Sequence, residues 1–242
     1  MKTNNPALKR FARLAEHNTG PVLTVDGVVD KTLMMLLLLI ATALGAWYLQ
    51  SAGYGAVVMV LFFIALIAGL VIALVVSFVP KTAPYLVPVY AALEGVVIGA
   101  ISLFAESMYP GIVLQAVGLT FGVAAVMLGL YRARIIKVTR GFRIGMLIAI
   151  GSIVLIYLIS MILGFFGMTI PLIHESGPVG IIFSIIVVAI AAFSLMLDFD
   201  FIEQAAQERA PKTLEWFATF GLLVTLVWLY IEILNLLMKT RD

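Results

Sequence analysis

The chain has 242 residues, of which 63% are hydrophobic and only 12% charged, with a mean hydropathy of +1.16. A soluble domain is about half apolar and about a quarter charged, so a soluble globular enzyme is excluded. The formal net charge is a slight +2, and the absence of cysteine excludes disulfides, Cys-based zinc sites and iron–sulfur clusters.

In chain order, the first 31 residues read as a tail carrying Lys2, Lys9, Arg10 and Arg13, without the apolar stretch and small-residue cleavage site of a secretory signal. Between Lys31 and Lys81 lie 49 residues with no ionisable carboxyl or amine, and uncharged runs follow at 107–131, 144–174 and 176–197. A membrane-spanning helix needs roughly 20 mostly apolar residues. Hydrocarbon tolerates no unpaired backbone amides, so such runs must be helical.

Turn residues divide the runs into seven segments. The first is Thr32–Leu49, closed by the glycine-rich stretch Gln50–Gly55, and the second is Ala56–Val79, stopped by Pro80. Tyr85–Phe104, Gly111–Tyr131, Ile144–Gly167 and Val179–Phe201 follow, and a last helix runs from about Trp216 to Met238. The expected fold is an all-α polytopic membrane protein, with residues 32–242 forming one seven-helix bundle behind the cytoplasmic tail 1–31. The last helix is either central or re-entrant.

Orientation follows from the lysines and arginines of the short loops. With the N-terminus in the cytoplasm, 13 of the 15 fall on that side, including Lys31, Lys81, the cluster Arg132, Arg134, Lys137, Arg140 and Arg143, and the pair Arg209 and Lys212. Lys239 and Arg241 follow the last apolar segment. On this reading every basic residue lies in a tail or loop.

The acids are distributed differently. Glu94 falls inside the third segment, Asp198 and Asp200 near the inner end of the sixth, and Glu232 inside the last. An ionised carboxylate at bilayer depth costs on the order of 2.5–3.5 kcal/mol even on the mildest scale. With no basic residue inside the membrane to pair with them, these acids require a proton, a hydrogen bond, water or a passing cation.

Their positions differ in weight. Asp198 and Asp200 are two residues apart, so on a helix they point about 200° away from each other. Asp198 is also about 29 Å along the helix from Val179, where a solvated interfacial carboxylate is the competing reading. Glu232 sits in Leu229-Tyr230-Ile231-Glu232-Ile233-Leu234, apolar on both sides. Glu94 precedes Gly95 and Gly99, a GxxxG step that lets another helix approach closely, and serves either packing or function. Glu203, Glu208 and Glu215 read as solvated loop or helix-end charges.

Several activities lack their residues. The histidines, His17 and His174, fall in a tail and an outer loop, so an intramembrane zinc hydrolase has no ligands. The last helix offers no lysine for a retinal Schiff base. The Gly-Asp signature of intramembrane aspartyl proteases is missing, as is a phosphate-binding Gly-Lys-Ser/Thr loop.

A sixth helix ending Ser194-Leu195-Met196-Leu197-Asp198-Phe199-Asp200, a short polar loop and a last helix reading Leu229-Tyr230-Ile231-Glu232-Ile233-Leu234-Asn235-Leu236-Leu237 resemble the Bax inhibitor-1 family, in its bacterial YccA-like branch. The resemblance extends over about residues 30–238. It implies that an aspartate of the sixth helix and an acid of the last form an intramembrane carboxyl pair, which the motif frame places on Asp200 and Glu232. Glu232 departs from the usual aspartate by one methylene. The family's basic latch at the inner end of the second helix has only Lys81 near its place.

The resemblance further implies a pH-sensitive passive leak of cations, chiefly Ca²⁺, across the plasma (inner) membrane, and for some members contact with a membrane-bound AAA protease. No enzymatic activity, resident cofactor or nucleic-acid partner is implied. Two carboxyls sharing a proton titrate as a pair, which offers a gate. Ca²⁺ prefers six to eight oxygen ligands, so Asp200 and Glu232 would hold it transiently. Two alternatives stay open: a non-conducting regulator docking a membrane partner through its tail and the basic loop 132–143, and a proton-coupled transporter of a small organic solute.

Overall fold

The computed structural model describes residues 20–166 and 177–241. Seven long helices follow one another: α1 (Val25–Ser51), α2 (Gly55–Phe78), α3 (Ala83–Met108), α4 (Ile112–Arg132), α5 (Arg140–Phe165), α6 (Pro178–Gln207) and α7 (Leu214–Arg241), with a 3₁₀ turn, Pro80–Thr82, between α2 and α3. Each is long and apolar enough to cross a bilayer. The tail residues Lys2, Lys9, Arg10, Arg13 and His17, and His174 of the outer loop, lie outside the described residues.

The helices outrun the segments expected from the uncharged runs. Such runs mark the hydrocarbon slab, whereas a helix continues into the interface, where charged side chains are tolerated. The largest difference is α1, which starts at Val25 and so takes Asp26, Asp30 and Lys31 out of the expected tail. Thr24 caps it, its hydroxyl accepting the Gly27 N–H at 3.0 Å. α1 ends in a turn through Gly53, whose φ of +89° suits glycine.

The re-entrant alternative for the last segment does not hold. α7 is a single helix of 28 residues, about 42 Å long at 1.5 Å per residue, with no break at which the chain reverses. It is also the most enclosed of the seven, half of its most apolar window being buried against about a tenth for α5.

The described residues divide into two compact units, one built from the chain up to Phe104 with Asp200–Val224, the other from Ala105–Phe199 and the chain from Thr225 onward. In the first, Val28, Val76, Val87, Ala91 and Leu223 are fully enclosed, and in the second Ala116, Val187, Ala191, Leu195 and Leu229. Lipid is as apolar as leucine, so such contacts stabilise through close packing, which favours small residues. Gly95 and Gly99 of α3 show this: a Cβ at either would overlap α1, at Leu39 and Thr42 or at Ala43. The GxxxG step expected to admit a neighbouring helix admits α1.

Candidate ion-pathway carboxylates

Glu232 stands in the middle of α7 and is only 3% exposed. Its Oε1 accepts the phenolic O–H of Tyr157 on α5 at 2.8 Å and the indole N–H of Trp228, one turn earlier on α7, at 3.1 Å. Both donors are neutral, so they solvate the carboxyl without cancelling a charge. In membrane proteins a side-chain hydrogen bond is worth about 0.6 kcal/mol on average and at most about 1.7. Tyr157→Phe should cost that much in detergent unfolding, and much less in a Glu232→Gln background.

Asp198 contacts α7 two turns away on the same face. The Thr225 hydroxyl donates to its carboxyl, while its Oδ2 is enclosed and, among the described residues, accepts no hydrogen bond. Thr225 and Glu232 are seven residues apart and so lie on one stripe of α7. Asp198 is therefore more enclosed than the interfacial, solvated reading had it. Asp200, two residues on, accepts the side-chain N–H of Gln204 at 2.7 Å, a bond along its own helix.

Glu94 belongs to the other unit. Tyr90, one turn before it on α3, is hydrogen-bonded to it, and the Tyr90 ring packs edge-on against Phe220 of α7 at 5.1 Å. Gly69 of α2 leaves room for the carboxyl, whose Oε2 lies 3.6 Å from where a Cβ at that glycine would stand. Lys81, the expected latch, is exposed in the 3₁₀ turn.

Two expectations about charge are corrected. Glu215 is not a solvated helix-end acid: it is fully buried and pairs with Lys31 Nζ at 2.6 Å. Its other oxygen accepts the Thr24 N–H at 3.0 Å and the Thr24 hydroxyl at 3.1 Å. Nor are all basic residues in tails and loops. Lys31 lies within α1, and Lys239 lies within α7, donating to Ser184 Oγ at 2.9 Å. The spacing of Lys239 from Glu232, seven residues, was a readable signal of a shared face.

Among the described residues no three acids or histidines converge as a metal site. A family model described as Bax inhibitor 1 like matches residues 5–242. The chain belongs to the Bax inhibitor-1-like family. No curated protein and no solved structure matches it. Seven spanning helices and this membership make it a multi-pass membrane protein. Within this Bax inhibitor-1-like chain the second carboxyl of the motif falls on a residue the fold encloses, Glu232, whereas the first falls on Asp200, bonded to Gln204 of its own helix, two residues after Asp198 with its enclosed Oδ2.

Proposed function

We propose that this Bax inhibitor-1-like protein is a passive, proton-sensitive cation leak of the plasma (bacterial inner) membrane, with Ca²⁺ as its main permeant ion and its N-terminus in the cytoplasm. The observation that carries this reading is Glu232, a carboxyl enclosed in mid-helix and held by two neutral donors. Its charge must be balanced by a proton or a cation, because neutral hydrogen bonds alone do not offset the cost of an anion at that depth. Protonation blocks the exchange and deprotonation admits the cation.

Asp198 of α6, whose carboxyl accepts the hydroxyl of Thr225 on the same stripe of α7 as Glu232, supplies the second carboxyl of the gate. Two such groups provide too few oxygens to retain Ca²⁺ without water or carbonyls, which suits passage. The protein does no covalent chemistry on this reading and needs no cofactor.

Purified protein in Ca²⁺-reporting liposomes should show flux that depends on pH. Glu232→Gln should flatten that dependence, and Asp198→Asn should change it more than Asp200→Asn. Flux indifferent to all three substitutions would sink the proposal.

A non-conducting regulator is the competing reading, favoured by the loop after α4. There Arg134 adopts φ +57° and stacks on Tyr131 at 5.8 Å, beside the exposed Ile135. Replacing 132–143 by a neutral loop would then abolish association with a membrane protease while the carboxyl variants remain silent.

A further inference from the structure

The connection between α4 and α5 carries five basic side chains in twelve residues, Arg132, Arg134, Lys137, Arg140 and Arg143, and the chain has no acid from residue 107 to 174. Both ends of the connection are fixed. α4 closes in a Schellman motif, the Ile135 N–H donating to the Leu130 carbonyl at 3.2 Å and the Arg134 N–H to the Tyr131 carbonyl at 3.0 Å, with Arg134 in the left-handed position that glycine usually fills. α5 opens on Thr139, whose hydroxyl accepts the Phe142 N–H at 3.2 Å. Arg134 stacks on Tyr131 and, like Arg143, interacts further within the protein. Arg132, Lys137 and Arg140 are exposed, and among the described residues no ion pair or side-chain hydrogen bond engages their charged ends. Between them the turn presents Ile135, 69% exposed.

We propose that this connection binds the headgroup of an anionic phospholipid, with Arg132, Lys137 and Arg140 as its cations and Ile135 seated among the acyl chains beside it. The uncharged runs end at Tyr131 and resume at Ile144, so these basic side chains emerge where hydrocarbon gives way to phosphate. Lysines and arginines placed there are drawn to anionic lipid, and their hydrogen bonds to phosphate oxygens are of the stronger, charge-assisted kind. Orienting a membrane protein needs only the count of such charges. A turn pinned at both ends with an isoleucine exposed on it goes beyond that count: buried apolar area and attraction to anionic lipid add together in binding a membrane surface, and here one turn supplies both. Lipid binding at this place is independent of whether the protein conducts.

Each cation near a lipid surface is worth about fivefold in affinity. Native mass spectrometry of the full chain in neutral detergent, titrated with phosphatidylglycerol or with phosphatidylcholine, gives the Kd of the first lipid bound. The parent should prefer phosphatidylglycerol. Arg132→Gln should weaken that lipid about fivefold, and Arg132→Gln, Lys137→Gln and Arg140→Gln combined about a hundredfold, with little change for phosphatidylcholine. Arg132→Lys should keep most of the affinity, and Ile135→Ser should weaken both lipids alike. Raising the ionic strength from about 0.1 M to 1 M shortens the screening length from about 10 Å to 3 Å and should shrink the preference.

A phosphatidylglycerol affinity unchanged in the triple variant would overturn the inference and leave the loop to the protein partner of the regulator reading. So would a loss in Arg241→Gln equal to that in Arg132→Gln: Arg241 bonds Gln115 near the opposite end of α4, and net charge rather than this turn would then be responsible. Displacement of phosphatidylglycerol by equimolar inorganic phosphate would mark a site for a free anion and overturn the lipid assignment.

Discussion

Replacing Lys31 by methionine is expected to destabilise the protein by about 3–5 kcal/mol, the cost of leaving a buried charge without its partner. Glu215 is fully buried, and among the described residues Lys31 is its ionic partner, at 2.6 Å, while also lying over the Trp216 ring at 5.4 Å. The anion has nowhere to turn: one carboxylate oxygen is packed so closely on Gly27 that a Cβ there would collide with it. Thr24 would go on donating two hydrogen bonds, which moderates the loss without neutralising the charge.

The same physics fixes the rest of the series. Glu215→Gln keeps an acceptor for Thr24 and removes the anion, so it should cost less than Lys31→Met. The double variant Lys31→Met with Glu215→Leu should recover most of the loss, because a well-packed apolar pair often matches a buried ion pair. Denaturant midpoints in detergent, read as a double-mutant cycle, check this. Single losses under about 1 kcal/mol that simply add would mark an exposed pair and refute the burial argument.

The ion pair also shows which part of the fold the sequence made legible. Seven helices were readable because charges are rare and the uncharged runs are long. Their ends were not, since Asp26, Asp30 and Lys31 interrupt the apolar pattern although the helix continues through them. The pairing of Lys31 with Glu215 spans 184 residues, and no local spacing announces it. It depends on the chain around Ala210–Lys212 returning to Pro21–Leu23, where the Leu23 N–H donates to the Ala210 carbonyl at 2.7 Å and the Lys212 N–H to the Pro21 carbonyl at 3.0 Å.

The carboxyls divide in the same way. Glu232 stood out because an acid with apolar neighbours on both sides has few bland explanations, but its donor Tyr157 comes from a helix 75 residues away. Lys239 was hidden by a boundary: with the last segment ended at Met238, a residue sharing the face of Glu232 was assigned to a tail. The motif frame put Asp200 ahead of Asp198, because it counts residues and does not see that Thr225 faces Asp198.

Gly95→Ala should destabilise the protein by about 3 kcal/mol, near the upper end for overpacking a close contact, and Gly99→Ala by somewhat less. The sign is the informative part. In a helix interior alanine is intrinsically better than glycine by about 0.8–1.0 kcal/mol, so a glycine without a packing role would gain from the change. Here the added methyl meets backbone. At Gly95 it overlaps the Leu39 carbonyl and the Thr42 hydroxyl, and at Gly99 it stands 2.8 Å from the Ala43 Cα and carbonyl oxygen.

Neither neighbour can swing aside, because the Thr42 hydroxyl is bonded to the Leu38 and Leu39 carbonyls and the Trp47 N–H clasps the Gly99 carbonyl at 3.0 Å. α1 must back away from α3, and Glu94, one residue before Gly95, shifts with it. Gly118 of α4 supplies the contrast: nothing lies within 4 Å of its added Cβ. Gly118→Ala should therefore be neutral or stabilising by about 0.4–1 kcal/mol. Unfolding of both variants in one detergent decides the matter, and a stabilised Gly95→Ala would show that α1 and α3 do not need the glycine.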